Sequence, residues 1–102
     1  MKPKVKESHI RKAIQDYLRY QGWTVLYHLQ GLGCYKGMAD LQALKDGRSV
    51  WIEVKRPGGR QSDYQKAFQS TVEAAGLEYV LAKDVTDVMH LGDGKVQQEI
   101  RL

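Results

Sequence analysis

Cysteine occurs once in these 102 residues, at Cys34, so no intrachain disulfide can form and nothing points to an oxidising compartment. Cys34 reads as a small residue in a glycine-rich loop. No apolar run approaches the ~18 residues of a membrane span. The opening stretch MKPKVKESHIRKAI is basic but has no continuous apolar core behind it, which is not the pattern of a signal peptide. His9, His28 and His90 lack zinc-site spacing and are assigned no role. Repeats, low-complexity tracts and linkers are also missing. These absences lead to the expectation of one soluble, cytoplasmic domain over residues 1–102, with no membrane partner. A chain of that size buries roughly two thirds of its unfolded surface.

What is present is ordinary in amount and informative in order. Hydrophobic residues make up 42% and charged residues 27%, normal for a globular chain. The net charge of +4 and pI near 9.2 permit a polyanionic partner without demonstrating one.

Residues 7–21, ESHIRKAIQDYLRYQ, carry Ile10, Ile14, Tyr17 and Leu18 at helical spacing, and Gly22 follows as a stop. WTVLYHL (residues 23–29) reads as a strand and QGLGCYKGM (30–38) as a loop. DLQALK and RSVWIEVK read as strands joined at Asp46-Gly47, a strong hairpin signal. A helix is expected from Ser62 to about Ala75, with Tyr64, Phe68, Val72 and Ala75 on its apolar side and Gly76 closing it. LEYVLA (77–82) reads as a strand, DVTDVMHL as a short helix, and KVQQEIRL as a last strand after a turn at Asp93-Gly94. The order α, β, β, β, α, β, α, β is that of a mixed α/β domain, a sheet flanked by helices.

A two-residue turn at Asp46-Gly47 pairs Lys45 with Arg48, and the same register sets Asp40 directly across from Glu53. Alternation then puts Leu41, Ala43, Val50, Ile52 and Val54 on one face, the core. Asp40, Gln42, Trp51, Glu53 and Lys55 occupy the other. Directly opposed residues have Cβ atoms ~4.5–5.5 Å apart, where like charges destabilise a sheet. A divalent cation between the two acids relieves that, and oxygen ligands suit Mg²⁺ or Mn²⁺ rather than zinc. Lys55, two residues along, is placed to orient a water or stabilise an oxyanion. Two acids and a lysine around a hard cation suit phosphodiester hydrolysis.

Plainer readings stand beside these. Asp40, Glu53 and Lys55 equally fit an exposed charge cluster on a solvated sheet face. A three-residue loop with a bulge would slip the register. Glu7 lies on the apolar stripe of the first helix, either as a third acid aimed at the sheet or as a glutamate favoured by the helix dipole. Gln65 either returns to the Ser62 backbone in an S-x-x-Q capping box or points toward Lys55 and the attacking water. Trp51 awaits a cover, from a helix or from a partner chain. Lys36, Arg56, Arg60 and Lys66 flank the acids, and loop glycines such as Gly31, Gly33, Gly37, Gly58 and Gly59 allow close approach of phosphates. Taken singly, each is also an ordinary loop residue.

GMAD (Gly37 to Asp40), then IEVKRPGGRQSDYQ (Ile52 to Gln65), after a helix carrying Glu7, resembles the VRR-NUC domain. That family is a branch of the PD-(D/E)XK nuclease superfamily with the restriction-endonuclease-like fold, whose αβββαβ core has the element order above. The similarity spans nearly the whole chain. It implies Asp40, Glu53 and the Val54 carbonyl as metal ligands, with Glu7 as a further acid. It also implies Lys55 as catalytic lysine and Gln65 as the glutamine of the following helix. Met38-Ala39 departs from the superfamily's proline and its neighbour, a position where this branch varies.

The resemblance further implies a Mg²⁺- or Mn²⁺-dependent endodeoxyribonuclease cutting branched DNA, above all four-way (Holliday-type) junctions, as a homodimer. A phage or prophage setting, hence the host cytoplasm, belongs to the same implication, and a helicase or other DNA-processing partner is left open. On that view Lys36, Arg56, Arg60 and Lys66 contact DNA. The alternatives are a flap or nicking nuclease on other branched DNA, or a non-catalytic DNA-binding module with the same fold.

Overall fold

The computed structural model describes residues 5–31 and 33–92. Helix α1 (Glu7–Tyr20) forms where the apolar spacing requires it and buries Ile10, Ile14 and Leu18. Strands β1 (Thr24–Tyr27), β2 (Leu41–Lys45) and β3 (Arg48–Val54) follow, then helix α2 (Asp63–Ala74) and strand β4 (Glu78–Ala82). The expected short helix is a 3₁₀ helix, Val85–Leu91, with Asp84 accepting from Thr86 N–H at its start. The strand expected over residues 95–102, with its turn at Asp93-Gly94, lies outside the described residues.

The sheet order is β1-β2-β3-β4. The β1–β2 and β2–β3 pairs are antiparallel, whereas β3 and β4 run parallel, joined through α2 as a parallel pair demands. Asp46 (φ 50°) and Gly47 (φ 76°) both turn through positive φ, the signature of the hairpin turn whose twist matches its strands. Lys45 pairs with Arg48 and Leu41 with Ile52, so the register is the one read from the sequence.

One face of the sheet carries Leu41, Ala43, Val50, Ile52 and Val54, all buried against Ile10, Ile14 and Leu18 of α1 and Val88 and Leu91 of the 3₁₀ helix. Trp23 Nε1–H donates to the Leu91 carbonyl at 3.0 Å and ties that helix to the start of β1. The opposite face has a smaller core of Ala39, Phe68 and Val72, with Met38, Trp51 and Tyr79 packed on it. Trp51 is therefore covered by α2, its ring meeting Phe68 edge-on at 5.0 Å.

The apolar side expected for α2 needs correction. Phe68 and Val72 are buried, but Tyr64 is 59% exposed and Ala75 is exposed as well. The helix touches the sheet along a narrow stripe, and its first turn and C-cap overhang the edge of that contact.

Candidate active site

Glu53 sits on β3, with β2 on one side and β4 on the other, and its side chain points to the face that α2 covers. It is 0% exposed. That excludes a solvated charge cluster. A buried carboxylate needs donors, and three side chains converge on it. The Tyr79 hydroxyl donates to Oε1 in a short hydrogen bond. Gln61 Nε2 donates to the same oxygen at 3.2 Å and also reaches Gln69 Oε1 at 3.0 Å and the Tyr79 hydroxyl oxygen at 3.3 Å. Lys55 Nζ lies 3.6 Å from the other oxygen, Oε2. Even so, Oε2 is the buried side-chain atom left without a hydrogen-bond partner among the described residues.

Asp40, one step beyond the Leu41–Ile52 pair, faces Glu53 across the hairpin as the register requires. Its Oδ2 accepts the Val54 N–H at 2.8 Å, which fixes the carboxylate against the end of β3. Burial raises the Asp40 carboxyl above its ordinary range, and the charges of Glu7 and Glu53 raise it further. The Val54 N–H and the Arg11 guanidinium act in the opposite sense. Burial also raises the Tyr79 hydroxyl, and its hydrogen bond to Glu53 adds to this. A phenol so shifted is a committed donor, and Glu53 Oε1 is its acceptor.

Glu7 is exposed in the first turn of α1, near enough for its charge to act on Asp40. Among the described residues no three His, Cys, Asp or Glu side chains converge into one metal-holding group. A cation here would thus rest on the carboxylates of Asp40 and Glu53 and the Val54 carbonyl, with its other positions open to water or phosphate. Mg²⁺ is commonly held in this way, by one or two carboxylates plus substrate oxygens. The unpartnered Oε2 beside a second carboxylate fits that donor set.

Gln65 adopts the capping box. Its Oε1 accepts from Ser62 N–H at 2.8 Å while Ser62 Oγ accepts from Gln65 N–H at 3.2 Å. The glutamine that reaches the buried acid is Gln61, four residues earlier. Lys36, Arg56, Arg60 and Lys66 are all exposed. The Arg56 carbonyl accepts Gly59 N–H at 2.8 Å, which closes the basic turn directly after Lys55.

Three residues escaped the sequence reading: Gln61, Tyr79 and Arg11. Tyr79 carries no mark in the sequence: it reaches the site because β4 pairs with β3 and sets Tyr79 against Trp51, beside Glu53. Arg11 lies one helical turn after Glu7, where an i, i+4 partner of an acid is expected. Gln61 sits in a loop, and no periodicity marks it. His28 belongs to the supporting structure. It stacks on Trp51 at 5.2 Å and contacts Gln42 Oε1 at 3.2 Å.

This architecture, a four-stranded mixed sheet between α1 and α2 with paired acids where β2 and β3 begin and end, is α/β with the restriction-endonuclease-like fold. A solved structure described as a VRR_NUC domain protein is similar to it, with a TM-score of 0.72 at 17% sequence identity, covering 97% of this chain and 91% of that one. At that identity the likeness is one of fold, and it agrees with the resemblance read from GMAD and IEVKRPGGRQSDYQ. No family model and no curated protein matches the sequence.

Proposed function

We propose that this chain is a nuclease domain of the VRR-NUC type, a metal-dependent, structure-selective DNA endonuclease. One observation carries the reading. Glu53 is fully buried, yet among the described residues its Oε2 has no hydrogen-bond partner and faces the ammonium of Lys55 at 3.6 Å. Burying a carboxylate costs several kcal/mol unless something compensates it. A fold that leaves one buried carboxylate oxygen with an ion pair but no hydrogen bond, beside a second acid, suits a ligand there.

Asp40, Glu53 and the Val54 carbonyl would hold Mg²⁺ or Mn²⁺, with Glu7 at the rim. When bound, the ion would acidify water and neutralise phosphate charge. The protein's own groups do the rest. Tyr79 and Gln61 hold Glu53 in one rotamer through Oε1. Val54 N–H orients Asp40. Lys55 Nζ, at the partly exposed margin, orients a water or stabilises an oxyanion. Arg56, Arg60, Lys36 and Lys66 supply phosphate contacts of the kind that position DNA without reading its sequence. Gln65 braces the start of α2 behind them.

Four-way junctions are the substrate the resemblance favours. A homodimer is the economical way to present two sites to a symmetric branch. Among the described residues β1 is an edge strand, with Leu26 and Tyr27 exposed, which gives a second copy a place to pair.

The test is cleavage of a labelled four-way junction and a linear duplex of matched sequence, in Mg²⁺, Mn²⁺ or chelator, with Lys55→Ala alongside. Junction-selective cutting that needs the cation and falls by at least about a hundredfold in Lys55→Ala is expected. Intact DNA binding without cutting by the wild-type protein in either metal would leave a non-catalytic binding module.

A further inference from the structure

The loop ahead of β2 and the first two turns of α2 together present aromatic rings to solvent. Tyr35 is 64% exposed and Tyr64 is 59% exposed. With Lys36 and Phe68 they line a groove of about 240 Å³. Lys36 Nζ stands 4.9 Å from the centroid of the Tyr64 ring. The Tyr35 ring leans on Phe68 at 5.9 Å with a 56° tilt, and Phe68 is buried against Trp51. The groove floor is therefore part of the second core.

Its rim is fastened too. Gly37, at φ 80°, passes so close to α2 that a Cβ would lie 2.2 Å from the Tyr64 carbonyl oxygen. The Met38 N–H donates to the Tyr35 carbonyl at 3.1 Å and closes the turn that carries Tyr35 and Lys36. The same loop runs on through Met38 and Ala39 to Asp40.

We propose that this groove is a subsite for an unpaired nucleotide of the DNA substrate. The base stacks on Tyr35 and Tyr64, and an adjoining phosphate engages Lys36. The inference rests on the nuclease reading and adds to it a preference for branched DNA in which a nucleotide is unpaired or splayed out at the branch. Exposed rings flanked by a cation match a ligand that offers a π-face and a negative charge together. A fully paired duplex hides its base faces and offers only the phosphate. The platform is held in place: the Tyr35 ring rests on Phe68, and Gly37 seats the loop against the main chain of Tyr64, as a preorganised stacking site requires.

The experiment is fluorescence anisotropy of the full chain in chelator, where no cleavage occurs, on a blunt duplex and on the same duplex with a single-stranded overhang. A fluorescent adenine analogue at an unpaired position reports stacking. The wild-type protein should prefer the overhang and quench the analogue. Tyr35→Ala with Tyr64→Ala should weaken overhang binding about five- to a hundredfold and abolish the quench, with blunt-duplex binding unchanged. Tyr35→Phe with Tyr64→Phe should restore both.

Equal wild-type affinity for the two DNAs, or an unchanged overhang affinity in the alanine variant, overturns the subsite. So does a change in sedimentation of that variant with overhang binding intact, which would make the groove a contact between copies of this chain. The two readings fail separately. Wild-type protein that stacks on the overhang but cuts no DNA in metal sinks the nuclease and keeps the subsite. Cutting without overhang preference does the reverse.

Discussion

Glu53 and Asp40 share one hairpin end but solve different problems. Glu53 is matched at Oε1 by Tyr79 and Gln61, so its charge is tolerated where water is excluded. Tyr79→Phe removes one of those donors and keeps the ring. It should destabilise the protein by about 1–3 kcal/mol in chemical denaturation, the cost of stripping a donor from a buried charged acceptor. Added Mg²⁺ should recover less of that stability than it adds to the wild type.

Asp40 is less well compensated, since burial and the acids Glu7 and Glu53 all disfavour its charged form. A carboxyl raised in the fold contributes stability that is fully present below its ordinary value near 3.8 and lost as pH rises through the folded value. At neutral pH without metal the ionised group is therefore a burden. Asp40→Asn keeps an acceptor for Val54 N–H and removes the charge. In chelator at pH 7 its melting temperature should rise above that of the wild type. The advantage should shrink as pH falls through the folded value of Asp40 toward 3.8. The same variant should lose the stabilisation by Mg²⁺ that the wild type shows in a thermal melt.

Among the elements, the hairpin and the loop before it do most to build the site. The Asp46-Gly47 turn sets a register in which every core residue of β2 and β3 faces α1 and both acids face away. A slip by one residue would send Glu53 into the apolar core. The loop is held by Gly37, whose positive φ and contact with the Tyr64 carbonyl leave no room for a side chain. Gly37→Ala combines backbone strain with a clash against main chain. A loss of about 1–3 kcal/mol of stability is expected from calorimetry. Because the displaced loop carries Asp40, cleavage should fall by more than the unfolded fraction accounts for. Full activity in a folded Gly37→Ala protein would show that the loop's seat on α2 does not matter to the site.

For the whole molecule, the distribution of charge governs how DNA is met. The net charge is +4, while the acids of the candidate site are gathered at one end of the sheet and the basic residues that flank them in the sequence are exposed. Binding of this kind should be salt-sensitive and indifferent to sequence. Arg56→Ala should weaken binding to junctions of different sequence by the same factor. It should also reduce the slope of log affinity against log salt by about one. An unchanged slope would remove Arg56 from the DNA surface. The two cores keep α1 and α2 on separate faces of the sheet, so a change in α2 reaches Glu53 through Gln69 and Gln61 rather than through the larger core.

Local rules sufficed for much of this protein. The apolar period of Ile10, Ile14 and Leu18, the Asp-Gly turn and the alternation of β2 and β3 specify helix, hairpin, register and core face. Each depends only on residues near in the chain. The same rules set Asp40 against Glu53, with Lys55 on their face. Other features depend on what covers what. Sequence could offer Trp51 a helix or a partner chain, and could offer Glu53 solvent or burial. Packing of α2 decided both, with Phe68 on Trp51 and Gln61 reaching the acid. Tyr64 and Ala75 fit a helical period yet lie exposed, because a period marks a stripe but not how much of it a neighbour reaches. Tyr79 is 26 residues from Glu53 in the chain, and only the parallel pairing of β4 with β3 brings its hydroxyl to that carboxylate.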